Sequence, residues 1–118
     1  MKRILLVDDS PIIQMAAKHA LVTAGYEVAT RASFDELMTQ PIDGFDLLLM
    51  DVQMPELFGD DVAMVLRKER GMTTPIYLFS TLPPAELEER ATTAGIDGFI
   101  SKALGMAHVV ERVRALLG

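Results

Sequence analysis

Ile4-Leu5-Leu6-Val7 runs into Asp8-Asp9, and Leu47-Leu48-Leu49-Met50 runs into Asp51. Each run is short, aliphatic and unbroken, the pattern of a strand covered on both faces and therefore of a parallel sheet with helices on either side. In a doubly wound α/β fold the carboxyl ends of neighbouring strands meet in one crevice, where carboxylates distant in sequence converge. At about 4 Å and an effective dielectric near 20, each like-charged pair costs roughly 4 kcal/mol before screening, so such a cluster requires a bound cation or a proton. A divalent metal is the first candidate.

Outward from these runs the chain alternates. The first strand spans Arg3 to Val7, and a helix follows over 11–24, with Pro11 in a tolerant first turn and Ile13, Ala17, Ala20 and Ala24 at helical spacing before Gly25. Tyr26 to Thr30 reads as an edge strand, and Ser33 with Glu36 as a capping box opening a short second helix. Pro41 and Gly44 break the chain before a third strand, Asp46 to Met50, and Val62, Val65 and Leu66 mark a third helix ending at Gly71. Ile76 to Phe79 is the fourth strand. Pro83 and Pro84 open a fourth helix with Leu87, Ala91 and Ala94 on one face and Gly95 at its end. Gly98 to Ile100 is a brief fifth strand, and Met106, Val110, Val113 and Leu117 stripe a last helix over 106–117.

Five βα units specify a three-layer fold, and right-handed crossovers leave few topologies. The expected class is α/β, a single doubly wound (βα)5 domain over residues 1–118, with a five-stranded parallel sheet in order 2-1-3-4-5 and helices on both faces. In that order one crevice collects Asp8 and Asp9, then Asp51, then Ser80 and Thr81, then Lys102.

Composition narrows the function. At 118 residues, 50% hydrophobic and 24% charged, the chain fits one folding unit with no linker or repeat. It has no cysteine, which excludes a disulfide framework, a thiol nucleophile and a zinc-thiolate site. The net charge of -6 argues against non-specific binding to nucleic acid or an anionic membrane. The apolar start is cut off by Asp8, too short for a signal core or a membrane span, so a cytoplasmic protein is expected. Met15, Met38, Met50, Met54, Met64 and Met72 are expected mainly as core filler, His19 and His108 as surface residues, and Glu86-Leu87-Glu88-Glu89-Arg90 as the solvated side of the fourth helix.

Magnesium takes oxygen ligands and usually keeps waters, so one or two carboxylates plus phosphate oxygens are its natural partners. Asp9 and Asp51 suit direct ligation. A Ser80 hydroxyl and a Lys102 ammonium across the crevice would hold the oxygens of a phosphoryl group. Aspartate can itself be the nucleophile, forming an aspartyl phosphate. The inventory is phosphoryl transfer to a carboxylate.

With the acidic pair Asp8-Asp9, Asp51-Val52-Gln53-Met54-Pro55-Glu56-Leu57-Phe58-Gly59, Ser80 after the fourth strand, and Lys102 in Phe99-Ile100-Ser101-Lys102, the chain resembles the receiver domains of two-component response regulators over essentially its whole length. The resemblance implies that Asp51 accepts phosphate from a histidine kinase or phosphotransfer protein. It implies Mg2+ held by Asp9, Asp51 and the Gln53 main-chain carbonyl, with Asp8 acting mainly through water, and Ser80 and Lys102 on the phosphoryl oxygens. It implies a switch in which Ser80 moves inward, Phe99 follows, and an unknown downstream protein reads the outer face of the fourth helix, fifth strand and fifth helix, a surface that can also serve a homodimer. Such a protein catalyses only its own phosphorylation and dephosphorylation. Three positions depart from the family pattern: Thr81 is bulkier than usual, Phe99 lacks a tyrosine hydroxyl, and Ala103 stands where proline usually follows the lysine, so a trans bond is expected there. The alternative is a receiver-like interaction module that is not phosphorylated. A metal-dependent phosphatase with an aspartyl nucleophile is disfavoured, because Gln53 cannot transfer protons where such enzymes carry a second aspartate.

Overall fold

The computed structural model describes residues 1–118. Strand and helix alternate throughout: β1 (Arg3–Val7), α1 (Pro11–Thr23), β2 (Glu27–Arg31), α2 (Phe34–Thr39), β3 (Leu47–Asp51), α3 (Gly59–Lys68), β4 (Ile76–Ser80), α4 (Pro84–Ala94), β5 (Gly98–Ser101) and α5 (Met106–Leu117). All neighbouring strands pair in parallel, in the expected order β2-β1-β3-β4-β5. The chain winds outward from β1 to β2, then returns past β1 to β3, so the winding reverses between β1 and β3. Their carboxyl ends carry the aspartates.

The unbroken apolar runs have their physical reason in the two faces. Ile4, Leu6, Leu47, Leu49 and Phe79 point to the layer formed by α1 and α5, where they meet Ala17, Leu21, Val109 and Val113. Leu5, Val7, Leu48, Met50 and Leu78 point to the other layer and meet Leu37, Val62, Ala63, Leu66, Leu87 and Ala91. Burying each large aliphatic side chain contributes on the order of 2 kcal/mol, and a register slip would exchange the two faces, so register is tightly specified. Val7 stands opposite Met50, which brings Asp8 and Asp51 to one level.

Several boundaries differ from the periodicity. β2 and β3 each lie one residue later than expected. The Tyr26 N–H bonds the Leu21 carbonyl and so closes the turn after α1 instead of entering the sheet, while Asp46 spends its carboxylate on the Arg3 N–H at the sheet's lower edge. Helix α3 ends at Lys68, short of Gly71, and turns Val65 outward; Val62, Ala63 and Leu66 are its buried side. In α5 the buried residues are Val109 and Val113, and Met106, Val110 and Leu117 only flank them. At α2 the Ser33 hydroxyl caps the Glu36 N–H as expected, but Glu36 reaches back one residue further, to the Ala32 N–H. Met50 and Met54 are buried, whereas Met15 projects into solvent from the outer side of α1. His19 is exposed and His108 half-buried. No helix is long and apolar enough to cross a membrane.

Candidate functional site

Each functional side chain sits at or just past a strand end because the helix that follows must begin there. Ser10 caps α1 through its hydroxyl, which accepts the Ile13 N–H, and the Ser10 N–H is bonded by Asp8 Oδ1 at 2.9 Å. This turn fixes the Asp8 carboxylate in a fully buried position with Oδ2 facing the crevice. Gln14, one turn into α1, donates its amide to the carbonyls of Asp8 (2.6 Å) and Arg31 (3.1 Å) and so clamps the ends of β1 and β2 together. Nothing in the local pattern signals that role, since a helical glutamine is ordinarily solvated.

Asp51 closes β3. The start of α3 lies directly on its main chain: a Cβ on Gly59 would come within 1.8 Å of the Asp51 carbonyl oxygen. The Gly59 N–H donates to the Val52 carbonyl at 2.8 Å, and Gln53 pairs with Phe58 across the intervening loop. Only glycine permits this approach. Lys102, the first residue after β5, donates its N–H to the Ser80 carbonyl and sends its side chain back across the crevice.

There it meets both buried carboxylates. The Lys102 ammonium lies 2.5 Å from Asp8 Oδ2 and 3.2 Å from Asp51 Oδ1. The second contact is an aligned hydrogen bond; the first is a short ion pair without hydrogen-bond alignment, so Asp8 Oδ2 is buried with a charge partner and no aligned donor. Oxygens of Asp8, Asp9 and Asp51 all lie within 4.8 Å of one another, with Asp9 the most exposed of the three. Three carboxylates and one ammonium leave the site two charges negative. Burial is the main reason the Asp51 carboxyl is pushed up to about 6; the Asp8 charge and the adjacent Asp9 carboxyl add to the rise, and the Lys102 charge and hydrogen bond oppose it.

The donors are all oxygens, one of them buried and lacking an aligned donor, and the net charge is negative. That set fits a hard divalent cation such as Mg2+, which favours carboxylate oxygens and retains waters. Asp8, Asp9 and Asp51 are the residues that could hold it.

Ser80 and Phe99 occupy their expected strands, and the Ser80 hydroxyl is not hydrogen-bonded to Asp51. The Ser80 hydroxyl is almost fully buried and accepts the Leu82 N–H at 3.1 Å, shaping the turn into α4. Phe99 stands opposite Leu78 and packs half-buried on the α3–α4 side of the sheet. Thr81 and Ala103 are exposed, and every peptide bond is trans. The 86–90 segment does more than solvate α4: Arg90 bonds Glu86 and both oxygens of Asp60 and lies over the Phe58 ring, joining α4 to the start of α3.

Residues 4–114 match the family model of the response regulator receiver domain. The chain belongs to this family. Among similar proteins, the nisin biosynthesis regulatory protein NisR of Lactococcus lactis is 32% identical over 114 residues, 96% of this receiver and 49% of that protein. The probable transcriptional regulator ycf27 of Cyanophora paradoxa is 34% identical, over 98% of this receiver and 48% of its own length. The polar-differentiation response regulator DivK of Brucella ovis is 26% identical over 99% of this receiver and 97% of its own length. The receiver thus spans about half the length of the first two relatives and nearly all of the third. Among solved structures, the chemotaxis response regulator CheY4 of Vibrio cholerae superposes with a TM-score of 0.86 at 28% identity, covering 99% of both chains. Receivers of this family work in phosphorelay signalling as signal transducers, and these relatives do not favour a module outside phosphorelay.

Proposed function

We propose that Asp51 is the phosphoacceptor of a phosphorylation switch, supplied by a phosphohistidine on a histidine kinase or phosphotransfer protein in the cytoplasm. The observation that carries this reading is the Lys102 ammonium at 3.2 Å from Asp51 Oδ1, beside carboxylate oxygens gathered within 4.8 Å at the point where the sheet's winding reverses. Asp51 Oδ1 accepts from Lys102 and from the Gln53 N–H, while Oδ2 accepts no hydrogen bond and is not sealed from solvent. Oδ2 is therefore the attacking oxygen. With its carboxyl at about 6, Asp51 is mostly ionised at pH 7 and its lone pair is available. The new O–P bond forms as the donor's P–N bond breaks, the electron pair returning to the imidazole nitrogen.

Lys102 neutralises one phosphoryl oxygen, and the Ser80 hydroxyl, whose own proton is not used by its contact with Leu82, donates to another. Asp9, Asp51 and the Gln53 carbonyl would hold Mg2+, with Asp8 acting mainly through water, and the ion would supply positive charge that offsets the carboxylates and the phosphoryl oxygens. Because Ser80 Oγ holds the Leu82 N–H, drawing Ser80 inward pulls on the entry to α4. Phe99, packed on the same side of the sheet, follows into the space, and the α4–β5–α5 face is the surface a downstream protein reads. The new charge and acceptor oxygens favour whichever of two arrangements brings Ser80 and Lys102 closest.

The test is incorporation of phosphate from acetyl phosphate with Mg2+ present, read by intact mass. One phosphate per chain is expected in the wild type and none in Asp51→Asn. Labelling of Asp51→Asn at the wild-type level would overturn the assignment.

A further inference from the structure

Lys102 reaches the carboxylates from a turn held by two backbone hydrogen bonds, its own N–H on the Ser80 carbonyl at 2.9 Å and the Gly105 N–H on its carbonyl at 3.2 Å, neither of which fixes the side chain. Ala103, Leu104 and Gly105 are exposed, and alanine leaves the backbone torsion after the lysine free. Two contacts made by neighbouring side chains add to these. The Ser101 hydroxyl, buried at the end of β5, accepts the Ala103 N–H at 3.1 Å and closes a local turn around Lys102. The Lys102 ammonium also lies 5.0 Å from the centroid of the Phe79 ring. Phe79 is fully buried in β4, its backbone between Asp51 and Ile100 and its ring in the core layer on the α1–α5 side.

We propose that Phe79 and Ser101 are positioning residues for Lys102: the ring face fixes where the ammonium sits, and the hydroxyl fixes the direction from which it arrives. The physical reason concerns what changes during the reaction. Protonation, cation binding or phosphorylation alters what Asp8 and Asp51 offer the ammonium, and any of these would release a lysine held by carboxylates alone. The attraction of a cation to an aromatic face is untouched by those events and is strongest where water is excluded. The side chain of Lys102 is only 9% exposed. Phe79 therefore keeps the ammonium over the site throughout transfer. This inference rests on the reading that Lys102 meets the phosphoryl oxygens.

The experiment uses Phe79→Leu, Ser101→Ala, Ser101→Thr and, as a control in the same core layer away from the lysine, Val113→Ala. At saturating Mg2+, Phe79→Leu should slow labelling by acetyl phosphate about tenfold, the factor that loss of a desolvated cation–ring contact supports. Ser101→Ala should slow it about threefold, as for one neutral hydrogen bond, with Ser101→Thr restoring the rate and Val113→Ala leaving it unchanged. Independently of phosphate, the reaction of Lys102 with an amine-directed reagent, mapped by mass spectrometry, should rise in Phe79→Leu and Ser101→Ala relative to the exposed Lys2, Lys18 and Lys68. Wild-type rates and wild-type protection of Lys102 in both variants would overturn the inference, as would parallel slowing in Val113→Ala. Should Phe79→Leu not fold, the Ser101→Ala and Ser101→Thr pair decides. A wild type that takes no phosphate, with Lys102 still unmasked in the variants, would overturn the phosphoryl reading and leave the positioning intact.

Discussion

Replacing Asp51 by asparagine should make the metal-free protein more stable at neutral pH and not at acid pH. Asp51 has its carboxyl raised from 3.8 to about 6, chiefly by burial. The sign follows from linkage: a group whose folded value is raised contributes stability that is fully present below its unfolded value and is lost as pH climbs through the folded one. Each tenfold gain in proton affinity is worth about 1.36 kcal/mol, so a rise of about a hundredfold means that ionising Asp51 removes about 3 kcal/mol between roughly pH 4 and pH 7. The side chain is only 7% exposed, so little of this is screened away. Asparagine has nearly the same shape and carries no charge, so Asp51→Asn escapes the loss, together with the repulsion between the ionised Asp51 carboxylate and Asp8. Urea unfolding in EDTA across pH 4 to 7 should therefore show a difference that grows by about 3 kcal/mol in favour of the variant, with most of the rise between pH 4 and 6. Saturating Mg2+ should recover stability in the wild type and much less in the variant, by about 2.7 kcal/mol at a hundredfold excess over Kd. A difference independent of pH, or a variant less stable than wild type at pH 7 without metal, would refute the electrostatic reasoning.

Three further outcomes follow from the geometry. Gly59→Ala places a Cβ 1.8 Å from the Asp51 carbonyl oxygen, so α3 must shift; a loss of about 3 kcal/mol in urea unfolding is expected, together with weakened Mg2+ binding. Lys102→Met leaves Asp8 and Asp51 facing each other in a buried site without a cation, and should lower stability at pH 7 by about 3 kcal/mol, a deficit that shrinks as pH falls towards 4; thermal melts at several pH values would read it. Asp9→Asn, at the most exposed carboxylate, should change metal-free stability by less than about 1 kcal/mol yet abolish most Mg2+-dependent stabilisation, as seen by calorimetric titration.

The order of strands and the convergence of Asp8, Asp9, Asp51 and Lys102 were legible because their signals are local. An aliphatic run buried on both faces ends at a polar residue, and parallel winding brings such ends together. Boundaries failed by one residue at Tyr26 and Asp46, where a turn hydrogen bond and a carboxylate–backbone bond competed with strand propensity. Val65 and Val110 were misjudged because helical spacing identifies a face only to within one residue either side. The trans bond at Lys102–Ala103 was foreseen from the cost of the alternative. The arrangement that compensates there, Ser101 on Ala103 and Phe79 beneath the ammonium, was not, since neither residue type announces such a contact.

What the amino-acid order determined by itself was the alternation of elements, the burial of the aliphatic strands on both faces, and which residues reach the carboxyl edge of the sheet, because these follow from unbroken apolar runs, from the helical period of 3.6 residues and from the chirality of the crossovers. What only the tertiary structure decided was contact: Gln14 across two strand ends, Gly59 against the Asp51 main chain, the Phe79 ring under Lys102, and the burial that raises Asp51. Those depend on the register between strands distant in sequence and on separations of a few tenths of an ångström. Dielectric environment and steric fit vary steeply over such distances, and no periodicity along the chain encodes them.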